Sequence, residues 1–209
     1  MKRLGDRPVL GWLISSAQQV PSFAEVVVAT TQEDQDDAIE EFCKASSVHC
    51  VRGPSADVLG RFDLAATEIG ADVVVRLTAD DPFKDPRLIE LVAHTALSTP
   101  EVDFVTNAAH SGFPIGMGAE AVSRQTLRRL SDLQHSTEDR EHVTTALYRP
   151  DGRYKGLYLR HSPSMERHAF TIDTSEDFKF HELLLERLDK RNWPWGWQDL
   201  VRASEGLGV

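Results

Sequence analysis

Short β-branched runs alternate with segments of helical periodicity over residues 9–107. This alternation is typical of repeated βα units around a mainly parallel sheet, and it excludes an all-α or all-β fold. Continuous valine runs, such as residues 73–75, indicate strands that are buried on both faces. The predicted strands cover residues 25–30, 48–52, 72–77 and 103–107. The predicted helices cover residues 9–20, 32–45, 58–69 and about 85–97.

The pattern becomes less regular after Asn107, where a glycine-rich stretch at residues 112–118 predicts a loop. Further on, the sequence predicts helices over residues 137–148 and 175–188 and a strand over residues 169–173. We interpret residues 1–209 as one domain with an irregular segment at about 108–168. The first helix poses a problem, because only eight polar, turn-like residues precede it where a βα fold requires a strand.

Composition narrows the class of protein. The 209 residues are 41% hydrophobic and 27% charged, which is ordinary for a globular protein with a real core. The formal net charge of −10 disfavours a nucleic-acid partner. Because the chain has neither an apolar run long enough to cross a bilayer nor a signal-peptide pattern, we expect a cytoplasmic protein without a membrane span. Cys43 and Cys50 lack zinc-ligand spacing and receive no function.

Two acidic turns follow predicted strands. Asp80 lies after the strand at 72–77, and Asp173 closes the strand at 169–173. In open α/β sheets, ligands bind at the carboxyl ends of strands. Two converging aspartates together with substrate phosphates would suit Mg²⁺. Helix capping is the alternative, because both turns run into helices and aspartate is a common cap.

The stretch Arg140-Glu141-His142 offers cations to an anionic substrate, since a guanidinium pairs with carboxylate or phosphate in bidentate fashion. A charged, solvated helix face explains the same residues without a ligand. The tryptophans at 193, 195 and 197 resemble a base-stacking comb, but near a chain end we interpret them as core.

Taken in order, these segments resemble the cytidylyltransferase family of the spore coat polysaccharide biosynthesis type, which is related to the synthetases of CMP-sialic acid and CMP-Kdo. No single stretch is specific, but seven lie in family order across nearly the whole chain. The matching stretches are 4–10 (LGDRPVL), 26–31 (VVVATT), 52–53 (RG), 57–62 (DVLGRF), 74–82 (VVRLTADDP), 140–144 (REHVT) and 172–177 (IDTSED).

The resemblance implies a nucleotide-diphospho-sugar transferase fold, which is α/β, Rossmann-like and three-layered. It implies transfer of CMP from CTP to a sugar, typically an acidic one, with release of pyrophosphate, in surface polysaccharide synthesis. Asp80 and Asp173 would be the catalytic, Mg²⁺-binding aspartates. The nucleotide would be bound by Arg52, Gly53, Asp57 and Arg76. The sugar would be bound by Glu120, Arg140, Glu141 and His142. Relatives also suggest a homodimer formed through the segment after Asn107.

The chain departs from this family at its start. Relatives open with a strand and a loop rich in glycine and arginine that would cradle the triphosphate, and Met1 aligns just after that loop. We therefore expect the natural product to start upstream of Met1. If the 209-residue form is itself the natural one, we expect it to lack cytidylyltransferase activity. The sugar-side loop also differs, with Ile115 and Gly118 where relatives often have aspartate. Two other functions stay open: a metal-dependent glycosyltransferase of the same fold, and a non-catalytic binding partner.

Overall fold

A computed structural model describes residues 1–108, 110–133 and 136–207 of the chain. The strands are β1 (Arg3–Leu4), β2 (Arg7–Pro8), β3 (Val27–Thr31), β4 (His49–Gly53), β5 (Val73–Arg76), β6 (Phe104–Thr106), β7 (Glu120–Ser123) and β8 (Gly156–Tyr158). The helices are α1 (Val9–Ala17), α2 (Asp37–Ala45), α3 (Val58–Glu68), α4 (Pro86–Ser98), α5 (Arg124–Asp132), α6 (Thr137–His142), α7 (Ser175–Arg187) and α8 (Trp197–Ser204). Short 3₁₀ turns cover Asp34–Asp36, Thr145–Tyr148 and Lys190–Asn192. Among the described residues, no helix is long and apolar enough to span a bilayer.

The strands confirm an α/β fold but correct the expected sheet. β3 and β4 form a parallel pair, whereas the larger sheet has the order β5-β7-β6-β8. β7 is antiparallel to both of its neighbours, and β6 is parallel to β8. The larger sheet is therefore mixed and not mainly parallel. The physical reason is that the chain returns from β6 to β7 through a loop, and only a helical crossover would have kept the strands parallel.

The residues before the first helix form a small hairpin in place of a sheet strand. Among the described residues, β1 and β2 pair only with each other around Gly5, whose φ of 64° suits the tight turn. In the described part of the chain, β3 pairs only with β4 and β5 only with β7. The two sheets thus share no strand ladder.

Four predicted elements differ from the observed ones. The helix predicted over 32–45 is a 3₁₀ turn at Asp34–Asp36 followed by α2, which begins at Asp37. α1 ends at Ala17 and not near residue 20. The helix predicted over 137–148 is interrupted at Val143, whose φ of 62° cannot continue a right-handed helix. The strand predicted over 169–173 is only an isolated bridge between Ile115 and Ala169, because this extended segment bonds to loops instead of to a sheet strand.

The aromatic residues near the chain end belong to the core, as predicted. Trp195 and Trp197 are buried, and Trp193 packs against the same cluster. The Trp12 ring lies 5.0 Å from the Trp193 ring and 5.6 Å from the Trp195 ring, measured between centroids. These contacts fasten the last segment of the domain to α1 and leave no free stacking surface on Trp195.

Candidate functional site

A cavity of about 260 Å³ opens beyond the carboxyl end of β5. Its walls come from β5, the turn at 78–84, the loop at 113–118, β7, and two residues further along the chain, Glu166 and Thr171. This is the edge of an α/β sheet at which ligands bind. Three of the predicted site residues line it, namely Arg76, Asp80 and Glu120.

Asp80 stands at the mouth of the cavity. The residue is exposed, yet the surrounding protein displaces water from its carboxyl, and this desolvation raises the pKa of Asp80 above its usual value. Repulsion by the neighbouring Asp81 raises the pKa further. A carboxylate held in this way gains from a bound cation, because a positive charge would offset both effects.

Asp173 is brought towards Asp80 by the backbone. The Ile172 amide donates to the Asp80 carbonyl oxygen over 2.9 Å. Asp173 directly follows Ile172, so this hydrogen bond brings its backbone close to that of Asp80. Asp173 is exposed and does not line the cavity itself. This contact joins the two acidic turns, which lie far apart in the sequence.

Other residues do the capping that was the alternative for these two aspartates. Asp85 caps α4 by accepting from the Arg87 amide over 2.9 Å. Thr174 caps α7 in a reciprocal box with Asp177. Asp80 and Asp173 therefore do not serve as the caps of these two helices.

Arg76 and Glu120 form an ion pair across β5 and β7. The Arg76 Nη1 atom lies 2.7 Å from Glu120 Oε2, and the Glu120 side chain is 7% exposed. The Tyr148 hydroxyl also donates to Glu120. Burial, together with the charge of Glu120, raises the pKa of Tyr148 well above its usual range. The tyrosine therefore stays a donor, and it holds the carboxylate in place.

The sequence reasoning missed the buried centre of this site. Asp81 pairs with Lys84 at 2.7 Å and accepts from the hydroxyls of Thr78 and Thr171, each at 2.7 Å. Lys84 also donates to the backbone carbonyls of Gly116 and Gly118. The spacing of three between Asp81 and Lys84 was the available signal, but the distant partners were not visible in the sequence. Glu166, another lining residue, carries no motif at all.

The remaining predicted residues lie outside the cavity lining. Arg52 binds the carbonyls of Thr31 and Glu33 and the carboxylates of Asp37 and Glu40 over 2.6–2.9 Å, so its guanidinium ties β4 to β3 and α2. Gly53 ends β4, where an added Cβ would lie 2.8 Å from Arg61 Cγ.

Asp57 and Arg140 are partners of each other. Asp57 caps α3 through the Gly60 amide at 2.9 Å, and its other oxygen accepts from Arg140 over 2.8 Å. Glu141 and His142 are exposed on α6. The structure thus brings together three of the ten predicted residues in the cavity, places Asp173 beside it, and puts these others elsewhere.

The described residues contain no cluster of three or more acidic, histidine or cysteine side chains that could hold a metal ion alone. A preformed cage is not required for Mg²⁺, which is commonly held by one or two carboxylates together with substrate phosphates. The donor chemistry of Asp80 and Asp173 fits that mode.

Comparison with known proteins gives a consistent family assignment. A sequence profile described as "Cytidylyltransferase" matches residues 1–192. An uncharacterised protein of Methanocaldococcus jannaschii is 31% identical over 192 residues, which span 91% of this chain and 77% of that protein. The spore coat polysaccharide biosynthesis protein SpsF of Bacillus subtilis is 27% identical over 201 residues, which span 91% of this chain and 81% of SpsF.

Solved structures show the same fold. A cytidylyltransferase from Leptospira borgpetersenii superposes with a TM-score of 0.91 at 26% identity, covering 97% of this chain and 85% of that one. A CMP:2-keto-3-deoxy-manno-octonic acid synthetase in complex with CTP superposes with a TM-score of 0.68 at 17% identity, covering 90% and 91%. The second likeness concerns the fold alone.

Proposed function

The chain belongs to the cytidylyltransferase family, and on that premise we propose that it transfers CMP from CTP to a sugar, with release of pyrophosphate. The polysaccharide role named for SpsF supports a place in surface polysaccharide synthesis. The observation that carries the proposal is the cavity, in which Arg76, Asp80 and Glu120 converge from three separate stretches of the sequence.

The reaction asks the protein mainly for positioning and charge stabilisation. A sugar hydroxyl attacks the α-phosphate in line, and negative charge spreads over the phosphate oxygens while pyrophosphate leaves. Arg76 supplies positive charge at the cavity wall, and Glu120 holds it in place through their 2.7 Å ion pair. Glu120 also carries acceptor oxygens with which a sugar hydroxyl can be oriented.

Asp80 and Asp173 are the residues that would hold Mg²⁺. When bound, the ion would neutralise phosphate charge and help pyrophosphate leave. The raised pKa of Asp80 supports this role, because the carboxylate lies in a site where a cation is favourable.

The proposal retains the other residues that the family resemblance implies. Arg52, Gly53 and Asp57 would lie around the nucleotide, and Arg140, Glu141 and His142 would face the sugar. All six lie outside the cavity lining, so these contacts would extend the site towards β4 and α6.

Binding and turnover should be measured separately. We expect Mg²⁺ with CTP at about ten times its Kd to stabilise the folded chain by about 1.4 kcal/mol through mass action. Sugar-dependent release of pyrophosphate from CTP then tests the reaction, and it decides between the proposed activity and the inactivity expected above for the 209-residue form. Release of a nucleoside phosphate from a nucleotide-sugar would instead indicate a glycosyltransferase.

The matched variants are Asp80→Asn and Asp72→Asn. Asp80 follows the carboxyl end of β5, whereas the exposed Asp72 precedes its amino end. Asp80→Asn should abolish the CTP response, and Asp72→Asn should retain it. A wild-type chain that stays folded and shows no response to millimolar CTP and Mg²⁺ would overturn the proposal.

A homodimer through residues 108–168 is part of the same proposal. β8 lies at an edge of the larger sheet, and Tyr158 on it is 41% exposed. An open strand edge with an exposed aromatic side chain suits pairing with a second copy. Light scattering of the purified chain would give the mass directly, and a monomer at micromolar concentration would contradict this part.

A further inference from the structure

Glu120 stands between two polar residues in the larger sheet. In the strand register it lies opposite Arg76 of β5 on one side and opposite Thr106 of β6 on the other. Residues that lie directly opposite each other on neighbouring strands place their side chains on the same face of a sheet. The three side chains therefore form a row across β5, β7 and β6, and this row ends at the cavity, which Arg76 and Glu120 line.

Tyr148 contacts this row from outside the sheet. It lies in the 3₁₀ turn at Thr145–Tyr148, and its ring packs edge-on against the buried Phe104, with the centroids 5.4 Å apart. Its hydroxyl donates to Oε1 of Glu120 and lies 3.2 Å from the Thr106 hydroxyl. Because burial and the charge of Glu120 both raise the pKa of Tyr148, the hydroxyl keeps its proton for this bond.

The two oxygens of Glu120 thus have different partners. Oε1 accepts from Tyr148, whereas Oε2 accepts from Arg76 Nη1 over 2.7 Å. A guanidinium has five N–H donors. In the described part of the chain, this bond to Glu120 is the only hydrogen bond of the Arg76 side chain. Arg76 is therefore held by one bond and still has donors for a ligand in the cavity.

We propose that Tyr148 is a positioning residue whose hydroxyl limits Glu120 to one contact with Arg76, and thereby keeps the remaining Arg76 donors available to an oxyanion of the substrates. The inference rests on the proposed cytidylyl transfer, and it adds to that reaction a residue that does not line the cavity. The oxyanion is a phosphate of CTP or the carboxylate of an acidic sugar, since both present paired oxygens that match a guanidinium.

The physical basis is competition for Arg76. A carboxylate and a guanidinium prefer two parallel N–H···O bonds, which would engage a second Arg76 donor with Glu120. Tyr148 opposes this arrangement because it occupies the oxygen that the second bond would need. The Glu120 side chain is 7% exposed, so water does not readily replace the hydroxyl, and a buried acceptor without a donor is costly. Without the hydroxyl, Oε1 would take its donor from Arg76.

The variant Tyr148→Phe removes only the hydroxyl and keeps the ring. Kd values are measured for CTP with Mg²⁺ and, separately, for glucuronate, with uncharged glucose as the neutral comparison. We expect Tyr148→Phe to raise the Kd of the oxyanion that Arg76 binds by about tenfold, the size of one charge-assisted hydrogen bond, and to leave glucose unaffected. A loss for CTP alone identifies the phosphate, a loss for glucuronate alone identifies the carboxylate, and a loss for both means that the two groups share Arg76.

Tyr158→Phe is the matched control. The Tyr158 ring lies 5.7 Å from Phe104 and 6.3 Å from Tyr148, so it belongs to the same aromatic cluster. Among the described residues, however, its hydroxyl has no hydrogen-bond partner. We expect Tyr158→Phe to bind both ligands as the wild type does. Urea unfolding establishes that each variant is folded.

A double-mutant cycle separates positioning from a merely structural role. Because Tyr148 acts through Glu120, Tyr148→Phe should change the Kd by less than about twofold in a Glu120→Gln background, where the charge that competes for Arg76 is gone. A tyrosine that only supported the fold would lower affinity alike in both backgrounds. If Tyr148→Phe does not fold, Glu120→Asp carries the test, because its shorter side chain draws the carboxylate away from Tyr148 and the same rise in Kd is expected.

Unchanged Kd values for both CTP and glucuronate in Tyr148→Phe, or an equal loss in the Glu120→Gln background, would overturn the inference. If the wild type binds only one of these ligands, that ligand decides. The proposed reaction fails separately: if Tyr148→Phe weakens CTP binding but the wild type releases no pyrophosphate with any sugar, the positioning role holds and the reaction is wrong. If the wild type and Tyr148→Phe release pyrophosphate with equal kcat/KM, the reaction holds and the inference is wrong. A wild type that binds neither ligand contradicts both.

Discussion

Lys84 Nζ lies 2.7 Å from the Asp81 carboxylate, and the two side chains are only 1% and 8% exposed. Through this pair the turn after β5 is joined to the Gly116 and Gly118 carbonyls and to Thr171. Asp80 immediately precedes Asp81 in the chain. The geometry of the cavity therefore depends on an ion pair that does not itself face solvent.

Replacing Lys84 by Met should destabilise the protein by about 3 kcal/mol, because it leaves Asp81 buried without its cation. Urea unfolding gives the free energy. Lys44→Met is the control, since Lys44 is exposed on α2 and its loss should change stability by less than about 0.5 kcal/mol. Equal stabilities of the two variants would show that the buried pair is dispensable.

Gly116→Ala tests the wall of the cavity. Gly116 has a φ of +91°, and an added Cβ would lie 2.8 Å from the backbone carbon of Phe170. Gly152 has a φ of +72° with nothing within 4 Å of an added Cβ, so Gly152→Ala measures the backbone strain alone. We expect about 1 kcal/mol for Gly152→Ala, and clearly more for Gly116→Ala together with weaker ligand binding. Thermal melts and CTP titrations of both variants provide the comparison.

Asp80→Asn should stabilise the metal-free protein at neutral pH. The pKa of Asp80 is raised in the folded state, so the folded state binds this proton more tightly than the unfolded state does. Wild-type stability is therefore lost as pH rises from the unfolded pKa through the folded pKa, and the full penalty applies above it. Since the residue is exposed, solvent screening limits the gain to about 0.5 kcal/mol.

The measurement is unfolding in EDTA across pH 4 to 8. The advantage of Asp80→Asn should shrink as pH falls towards the ordinary aspartate range. An advantage that grows on acidification would contradict the direction of the pKa shift.

Two variants of Asp57 distinguish its helix cap from its ion pair with Arg140. Asn caps a helix about as well as Asp does, so Asp57→Asn should lose only the Arg140 pair and little stability. Asp57→Ala should cost about 1 kcal/mol more, because the Gly60 amide then loses its acceptor. Similar stabilities of the two variants would mean that the cap contributes nothing. A CTP response retained in both would argue against Asp57 as a nucleotide contact.

The local elements were largely visible in the sequence. The helix predicted over 58–69 is observed as Val58–Glu68, and the strand predicted over 72–77 as Val73–Arg76, because apolar periodicity and caps act over a few residues. Prediction was poorer after Asn107, where β7 and β8 were missed although they are as long as β5 and β6. They lack a β-branched run such as the valines at 73–75, and what defines them is pairing with distant partners.

The candidate site divides in the same way. Arg76 lies on the strand predicted over 72–77 and Asp80 lies just after it, so their position at the sheet edge followed from the pattern. Arg52 and Arg140 were also expected to bind the substrates. In the structure, Arg52 instead ties β4 to α2, and Arg140 binds Asp57. A guanidinium can bind either a protein carboxylate or a ligand phosphate, and the sequence does not say which is within reach.

By itself, the sequence determined the class of the fold, the family, and the acidic turn after β5, because these depend on local patterns and on motifs in order. Only the tertiary structure decided that β7 lies antiparallel between β5 and β6, that Lys84 is buried against Asp81, and that Glu166 reaches the cavity. Each of these depends on which distant segments meet. These long-range contacts decide whether a charged side chain is paired within the protein or remains available to a ligand.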